Sequence, residues 1–297
     1  MYYYKLYGTR IASDFKLEQL ITLSQEEQHL PPQIIIQERN IPKEYKRQQE
    51  CYSVIDRNKS IISNSYCYLL IEKGEKIFYE KKEKITSQLL NAYLLGWGIS
   101  TLFYQRGELA IHCSCVAKEG KAVLLSGNSG SGKSTMTSEL LQQGYSFMAD
   151  DISVIKYSED EEVFATAAFP YQKLCRDVTQ TLTVSREEMI YIDEMKDKFL
   201  VPYQGVFEEK ATKVKAMIIL TITKEDKVVV TELSGAEKLH ACMNALFLKP
   251  LLGEALYEPQ NGVQVLKFAS KIPVYQIQRP IERDSKKEVL EALLGVL

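Results

Sequence analysis

The pattern of apolar and polar positions changes character near residue 85. Before it, short aromatic and β-branched runs (YYYKLYG, QIIIQ, CYSVID, SYCYLLIE and KIFYE) alternate with turn formers such as Arg57-Asn58-Lys59 and Lys73-Gly74-Glu75. Runs of this length and composition predict strands. The polar, proline-containing QEEQHLPPQ reads as a connection, and the charged EKKEK at 80–84 as a solvated link. From Ile85 the period lengthens. Leu89, Leu90, Tyr93, Leu94, Trp97 and Leu102 fall largely on one stripe and predict a helix of about 20 residues, weakened by Gly96 and Gly98.

Strand and helix signals then alternate. LAIHCSCVA and KAVLLSG flank Glu119-Gly120, a hairpin turn; a glycine-rich loop follows, then the helix KSTMTSELLQQ, closed by Gly144. YSFMADD, ISVIKY, VKAMIILTI, KVVVTEL and PVYQIQ read as strands. Ser234 to Glu237 reads as a capping box opening a helix, and KKEVLEALLGVL as an amphipathic helix. The expected organisation is a β-rich domain over 1–84 and an α/β domain over 85–297.

Composition narrows the function classes. A net charge of −2 offers no broad basic face for nucleic acid. No 18-residue apolar run and no signal-peptide core are visible, which predicts a cytoplasmic protein without a membrane span. Six cysteines without paired CxxC spacing read as reduced thiols.

The chemistry gathers around Gly127-Asn128-Ser129-Gly130-Ser131-Gly132-Lys133-Ser134, a complete G-x4-G-K-S phosphate loop, with Thr135 continuing it. Glycines let backbone N–H groups turn inward onto phosphate oxygens, and the helix opening at Lys133 adds its positive end. Lys133 is expected on the β- and γ-phosphates and Ser134 on Mg²⁺, so the implied ligands are ATP and Mg²⁺. The strand SFMA ends in Asp150-Asp151, where one carboxylate can approach the metal and the other the incoming nucleophile. His112 alone, on an apolar strand, reads as a core histidine, and HCSC lacks zinc-site spacing.

Together these residues resemble the catalytic domain of the bacterial HPr kinase/phosphorylases. His112 precedes Lys133 by 21 residues and Asp150 follows it by 17, the spacings of that family. The resemblance implies an α/β P-loop kinase fold of the HPr kinase/PEP carboxykinase-like type, with a mixed sheet, beside the smaller N-terminal domain. It implies Asp150 as general base toward a serine hydroxyl, His112 beside Asp150 to orient it, Lys133 and Ser134 on phosphates and metal, and Asp151 as the metal-side carboxylate. The segment VFATAAFPYQKLCRDV lacks that family's glycine-rich signature with its metal-binding glutamate, and its later arginine motif has no counterpart here.

Over nearly the whole chain the sequence is similar to the HPr-kinase-like proteins found beside peptide natural-product genes, including the lasso-peptide kinases. The shared segments are YYYKLYGTRIASDFKLEQL, RGELAIHCSCV, PYQKL, Lys198 to Pro202 and LSGAE. Relatives often carry arginine where Lys173 and Arg176 stand. These two and Lys198 read either as transition-state cations or as surface charges. The resemblance implies a serine-containing peptide precursor as acceptor. An HPr-like carrier protein, a small hydroxylated metabolite or an ATPase switch without an acceptor are the alternatives. The N-terminal sheet reads equally as a peptide-gripping edge or as a surface for homo-oligomer contacts.

Overall fold

The computed structural model describes residues 1–46, 50–175, 179, 185, 188–192, 198–248 and 259–297. The chain divides into two compact units, each assembled from three stretches. One comprises Met1–Leu109, Phe169–Tyr203 and Leu248–Asn261; the other comprises Ala110–Ala168, Gln204–Phe247 and Gly262–Leu297.

The first unit opens with β1 (Tyr2–Leu6), β2 (Thr9–Ser13), β3 (Ile21–Thr22), a helical turn α1 (Gln25–Gln28) and β4 (Ile34–Glu38). It continues with β5 (Cys51–Asp56), β6 (Lys59–Ser63), β7 (Cys67–Glu72) and β8 (Lys76–Lys81). They form an eight-stranded sheet in the order β3-β1-β2-β4-β8-β7-β6-β5. The β2–β4 and β4–β8 pairs are parallel, so the sheet is mixed. EKKEK is less of a free link than expected. Lys81 belongs to β8 and pairs with Glu38, while Glu80 accepts from the Ile41 N–H and the Lys46 ammonium.

The anticipated long helix runs as α2 (Ser87–Ala92), a π-helical turn (Tyr93–Gly98) and α3 (Ile99–Gln105). Gly98, in that widened turn, lets the sheet approach closely, since a Cβ there would lie 3.3 Å from the Ile77 side chain. This helix clusters with the N-terminal sheet, so the units do not part at residue 84. Its buried face holds it there. Phe103 packs edge-on against Tyr7, Asn91 exchanges two hydrogen bonds with Gln19, and Gln105 donates to Ser60 and to the Ile71 carbonyl.

The second unit begins within β9 (Leu109–Ile111) and adds β10 (Cys113–Lys118), β11 (Lys121–Gly127), α4 (Lys133–Gln142), β12 (Ser146–Ala149), β13 (Ser153–Tyr157) and β14 (Val163–Thr166). Lys118 pairs with Lys121 across Glu119 (φ 52°) and Gly120 (φ 71°), a two-residue turn with both residues left-handed. The chain then contributes β15 (Tyr171–Cys175), β16 (Ile190–Ile192) and β17 (Lys198–Pro202) to the first unit. They form a three-stranded sheet whose β16 packs on α2.

Returning to the second unit, the chain forms β18 (Thr212–Thr223), β19 (Val229–Glu232), α5 (Gly235–Asn244), α6 (Pro259–Lys271), β20 (Val274–Pro280) and α7 (Lys286–Val296). Ser234 is the N-cap of α5 but its side chain makes no capping bond, and Gly235 is left-handed (φ 52°). The expected capping box is therefore absent there; one is formed at Ser24 and Glu27 instead. The nine strands of the second unit's sheet run β12-β10-β11-β18-β14-β13-β9, with β20 beside β18 and β19 beside β20. The fold is α/β with mixed sheets. Val123, Leu125, Ile218, Leu220 and Ile277 of the sheet pack under Met136 and Leu140 of α4 and Val289 and Leu293 of α7. Among the described residues no helix is long and apolar enough to cross a membrane.

Candidate nucleotide and phosphoryl-transfer site

Strand β11 is buried from Ala122 to Ser126 and delivers the chain to Gly127. There φ is 149°, and a Cβ would stand 2.4 Å from the Leu220 carbonyl oxygen and 2.6 Å from Ser131 Oγ. Only glycine fits so close a backbone approach. Gly130 (φ 84°) and Gly132 (φ 103°) are also left-handed, and Gly132 is the N-cap of α4. Asn128, Ser129 and Gly130 are exposed, as are Ser134 and Thr135 on the first helical turn. Ser131 is buried, its N–H donating to the Asn128 carbonyl at 3.1 Å. Loop and helix thus present exposed backbone at the positive end of a helix, which suits an anion.

Strand pairing carries the carboxylates to the same end of the sheet. β10 is antiparallel to both β11 and β12, so β11 and β12 run the same way and finish together. Asp150 follows β12. Its Oδ1 accepts from the buried Ser114 hydroxyl at 2.7 Å and from the Asp151 N–H at 3.0 Å. Asp151 is left-handed (φ 73°), a conformation aspartate tolerates better than most residues.

His112 joins the loop lysine to the aspartates. Its Nε2 lies 3.1 Å from Lys133 Nζ, and its Nδ1 lies 3.0 Å from the Asp151 carbonyl oxygen and 3.5 Å from Asp151 Oδ1. An ammonium only donates, so Nε2 is the accepting nitrogen and Nδ1–H donates to Asp151. Burial, followed by the Lys133 charge, pushes the imidazole pKa below the usual histidine value, against the weaker pull of Asp151 and Asp150. The ring is neutral near pH 7. Its backbone is pinned by its N–H to the Ala245 carbonyl and by its carbonyl, which accepts from the Ser126 hydroxyl.

The histidine's hydrogen bonds go to Asp151 and Lys133, not to Asp150 as the resemblance implied. Ser114, two residues along from His112, holds Asp150 instead. Lys173 and Lys198 lie on β15 and β17 of the first unit. Arg176 lies outside the described residues. Two contributors escaped the sequence reading. Ser114 was within reach, since residues i and i+2 on a strand share a face. Arg279, which donates to the Gly130 and Ser131 carbonyls, carries no local signal.

The oxygen donors available, Ser134 and the Asp150–Asp151 pair, suit Mg²⁺, which takes one or two carboxylates together with phosphate oxygens. Among the described residues no cluster of three or more His, Cys, Asp or Glu side chains could cage a metal without such help. Burial pushes the Cys115 thiol up to about 12, which keeps it protonated and a poor ligand.

Fold and site together define an α/β P-loop protein with a carboxylate pair at the loop. Residues 106–176 match the family model for the HPr Serine kinase C-terminal domain. The HPr kinase/phosphorylase of Lachnoclostridium phytofermentans is 32% identical over 106 residues, which cover 36% of this chain and 32% of that protein. The matched stretch thus spans about a third of that relative's length. Among solved structures, the Hpr(Ser) kinase/phosphatase from Coxiella burnetii aligns over 63% of this chain and 88% of its own, at 12% identity and a TM-score of 0.32.

Proposed function

We propose that this chain is an ATP-dependent serine kinase whose acceptor is a peptide, the C-terminal serine of a lasso-peptide precursor being the specific candidate. The observation that carries the kinase reading is the linked set Lys133–His112–Asp151, with Asp150 alongside on Ser114, at the mouth of a phosphate loop. The match of residues 106–176 to a serine kinase domain supports it. The peptide acceptor rests on the wider sequence resemblance alone.

ATP·Mg²⁺ supplies the phosphoryl group and the charge neutralisation of its transfer. Loop N–H groups, Lys133 and Ser134 would hold it, with Asp151 on the metal side. Asp150 accepts the proton of the serine hydroxyl as the hydroxyl oxygen bonds to phosphorus and the bond to ADP breaks. Ser114 and the Asp151 N–H both bind Oδ1 and so fix the carboxylate's rotamer. Lys133 leaves His112 for the phosphates, while the Nδ1–H bond to the Asp151 carbonyl keeps the histidine in register.

The test measures phosphate transfer from ATP to three acceptors: a synthetic peptide ending in serine, HPr, and free serine. Transfer to the peptide alone supports the full reading. Transfer to HPr or serine moves the acceptor but keeps the kinase. ATP hydrolysis indifferent to all three hydroxyls would overturn it in favour of an ATPase switch.

A further inference from the structure

We propose that Arg279, 146 residues beyond Lys133, is a positioning residue of the phosphate loop, shaping the loop from behind so that it receives a triphosphate. The inference rests on the nucleotide reading above and adds a residue that no motif in the sequence marks.

Arg279 stands near the C-terminal end of β20, opposite Ile222 of β18. β20 is parallel to β18, which is parallel to β11, so the three strands finish at the loop. The guanidinium donates from Nε to the Ser131 carbonyl at 2.9 Å, from Nη2 to the Gly130 carbonyl at 2.7 Å and from Nη1 to the Pro280 carbonyl at 3.1 Å. Among the described residues it pairs with no carboxylate. An arginine spending its planar fork on two successive carbonyls of a glycine-rich loop is a specific use of a side chain that ordinarily seeks acids.

Peptide geometry supplies the consequence. Within each planar unit the C=O and the following N–H point in opposite directions. Holding the Gly130 and Ser131 carbonyls toward Arg279 therefore turns the N–H groups of Ser131 and Gly132 away from it. The N–H of Ser131 closes the turn onto Asn128, and that of Gly132, the N-cap of α4, belongs to the peptide unit whose carbonyl Arg279 holds. Gly130 and Gly132 are both left-handed and lack a Cβ, so nothing in their own side chains resists a peptide flip. A Cβ at Gly132 would make only an ordinary contact, 3.5 Å from Arg279 Nε, so it is the left-handed φ of 103° that calls for glycine there. The guanidinium's fixed positive charge lies behind the loop and favours an anion in front of it.

The experiment titrates ATP with Mg²⁺ into the full-length protein by calorimetry and records melting temperatures of the same samples. Arg279→Met keeps an unbranched stem without donors and is expected to weaken ATP binding about ten- to hundredfold. Arg279→Lys restores the charge and part of the donor set, so its affinity should fall between those of Arg279→Met and the parent. Unchanged affinity in Arg279→Met overturns the proposal. So does an equal loss in both variants accompanied by a fall in melting temperature, which marks a merely structural residue. Should Arg279→Met fail to fold, Arg279→Lys against the parent decides by the same criterion. Lys133→Ala separates the two layers of argument. If it too leaves ATP affinity untouched, the nucleotide reading fails; if it alone weakens ATP, only the role of Arg279 fails.

Discussion

The two units use the same unusual ingredients, left-handed residues and buried polar side chains, for different ends. In the first, Tyr7-Gly8 and Lys73-Gly74 are left-handed because they close the β1–β2 and β7–β8 hairpins. Its buried Gln19 and Asn91 satisfy each other reciprocally at 3.0 and 2.7 Å. In the second, Glu119-Gly120 close a hairpin in the same way, but Gly127, Gly130, Gly132 and Asp151 are left-handed around one loop and its carboxylates. Ser114 donates to Asp150, His112 to the Asp151 carbonyl, and Ser126 to the His112 carbonyl behind them. Among the described residues the buried hydroxyls of Ser131 here and of Ser100 and Thr101 in the first unit find no partner. Left-handed residues in hairpins serve chain reversal, and glycines at the loop let its backbone turn. Asp151, the one of the four that carries a side chain, holds a conformation that is costly outside glycine.

Three measurements press on this contrast. Asp150→Asn should lower phosphoryl transfer about 10²- to 10⁴-fold while ATP affinity stays near that of the parent, as read by steady-state kinetics beside calorimetry. Full transfer by the variant would remove Asp150 as base. Asn91→Ala leaves the buried Gln19 amide unpaired and should cost about 1–3 kcal/mol of stability by denaturant titration. Its turnover per folded molecule should match the parent; a selective loss of turnover would dissolve the division of labour between the units.

The smallest effect is with pH. Because the His112 pKa is depressed in the folded protein, the unfolded chain binds more protons there. The stability is complete above the ordinary value of 6.5 and is lost as pH falls toward the lower folded value. With 39% of the side chain accessible, the change is modest. Melting curves at about pH 7.5 and 5.5 should diverge more for the parent than for His112→Gln. Equal divergence would mean that the ring does not titrate in this range.

What was legible in the sequence was local. The Glu119-Gly120 turn, the loop from Gly127 to Ser134, α4 and the end of β12 each follow from neighbours within a few residues. The partner of His112 was not legible, because it depends on the left-handed turn at Asp151 that aims a carbonyl at the ring; spacing carries no record of a backbone reversal. Nor was the π-helical turn at Tyr93–Gly98, where Gly98 leaves room for a side chain from β8. Arg279 depends on two parallel pairings across β18, which no window along the chain contains.

The interleaved course of the chain limits how this molecule can be taken apart. Each unit draws on three separated stretches, so no single cleavage of the polypeptide releases either one whole. A fragment ending at Leu109 would lack β15, β16 and β17, and one starting at Ala110 would carry those strands without the rest of their unit. Excising either half as a minimal version therefore requires new joins between distant residues.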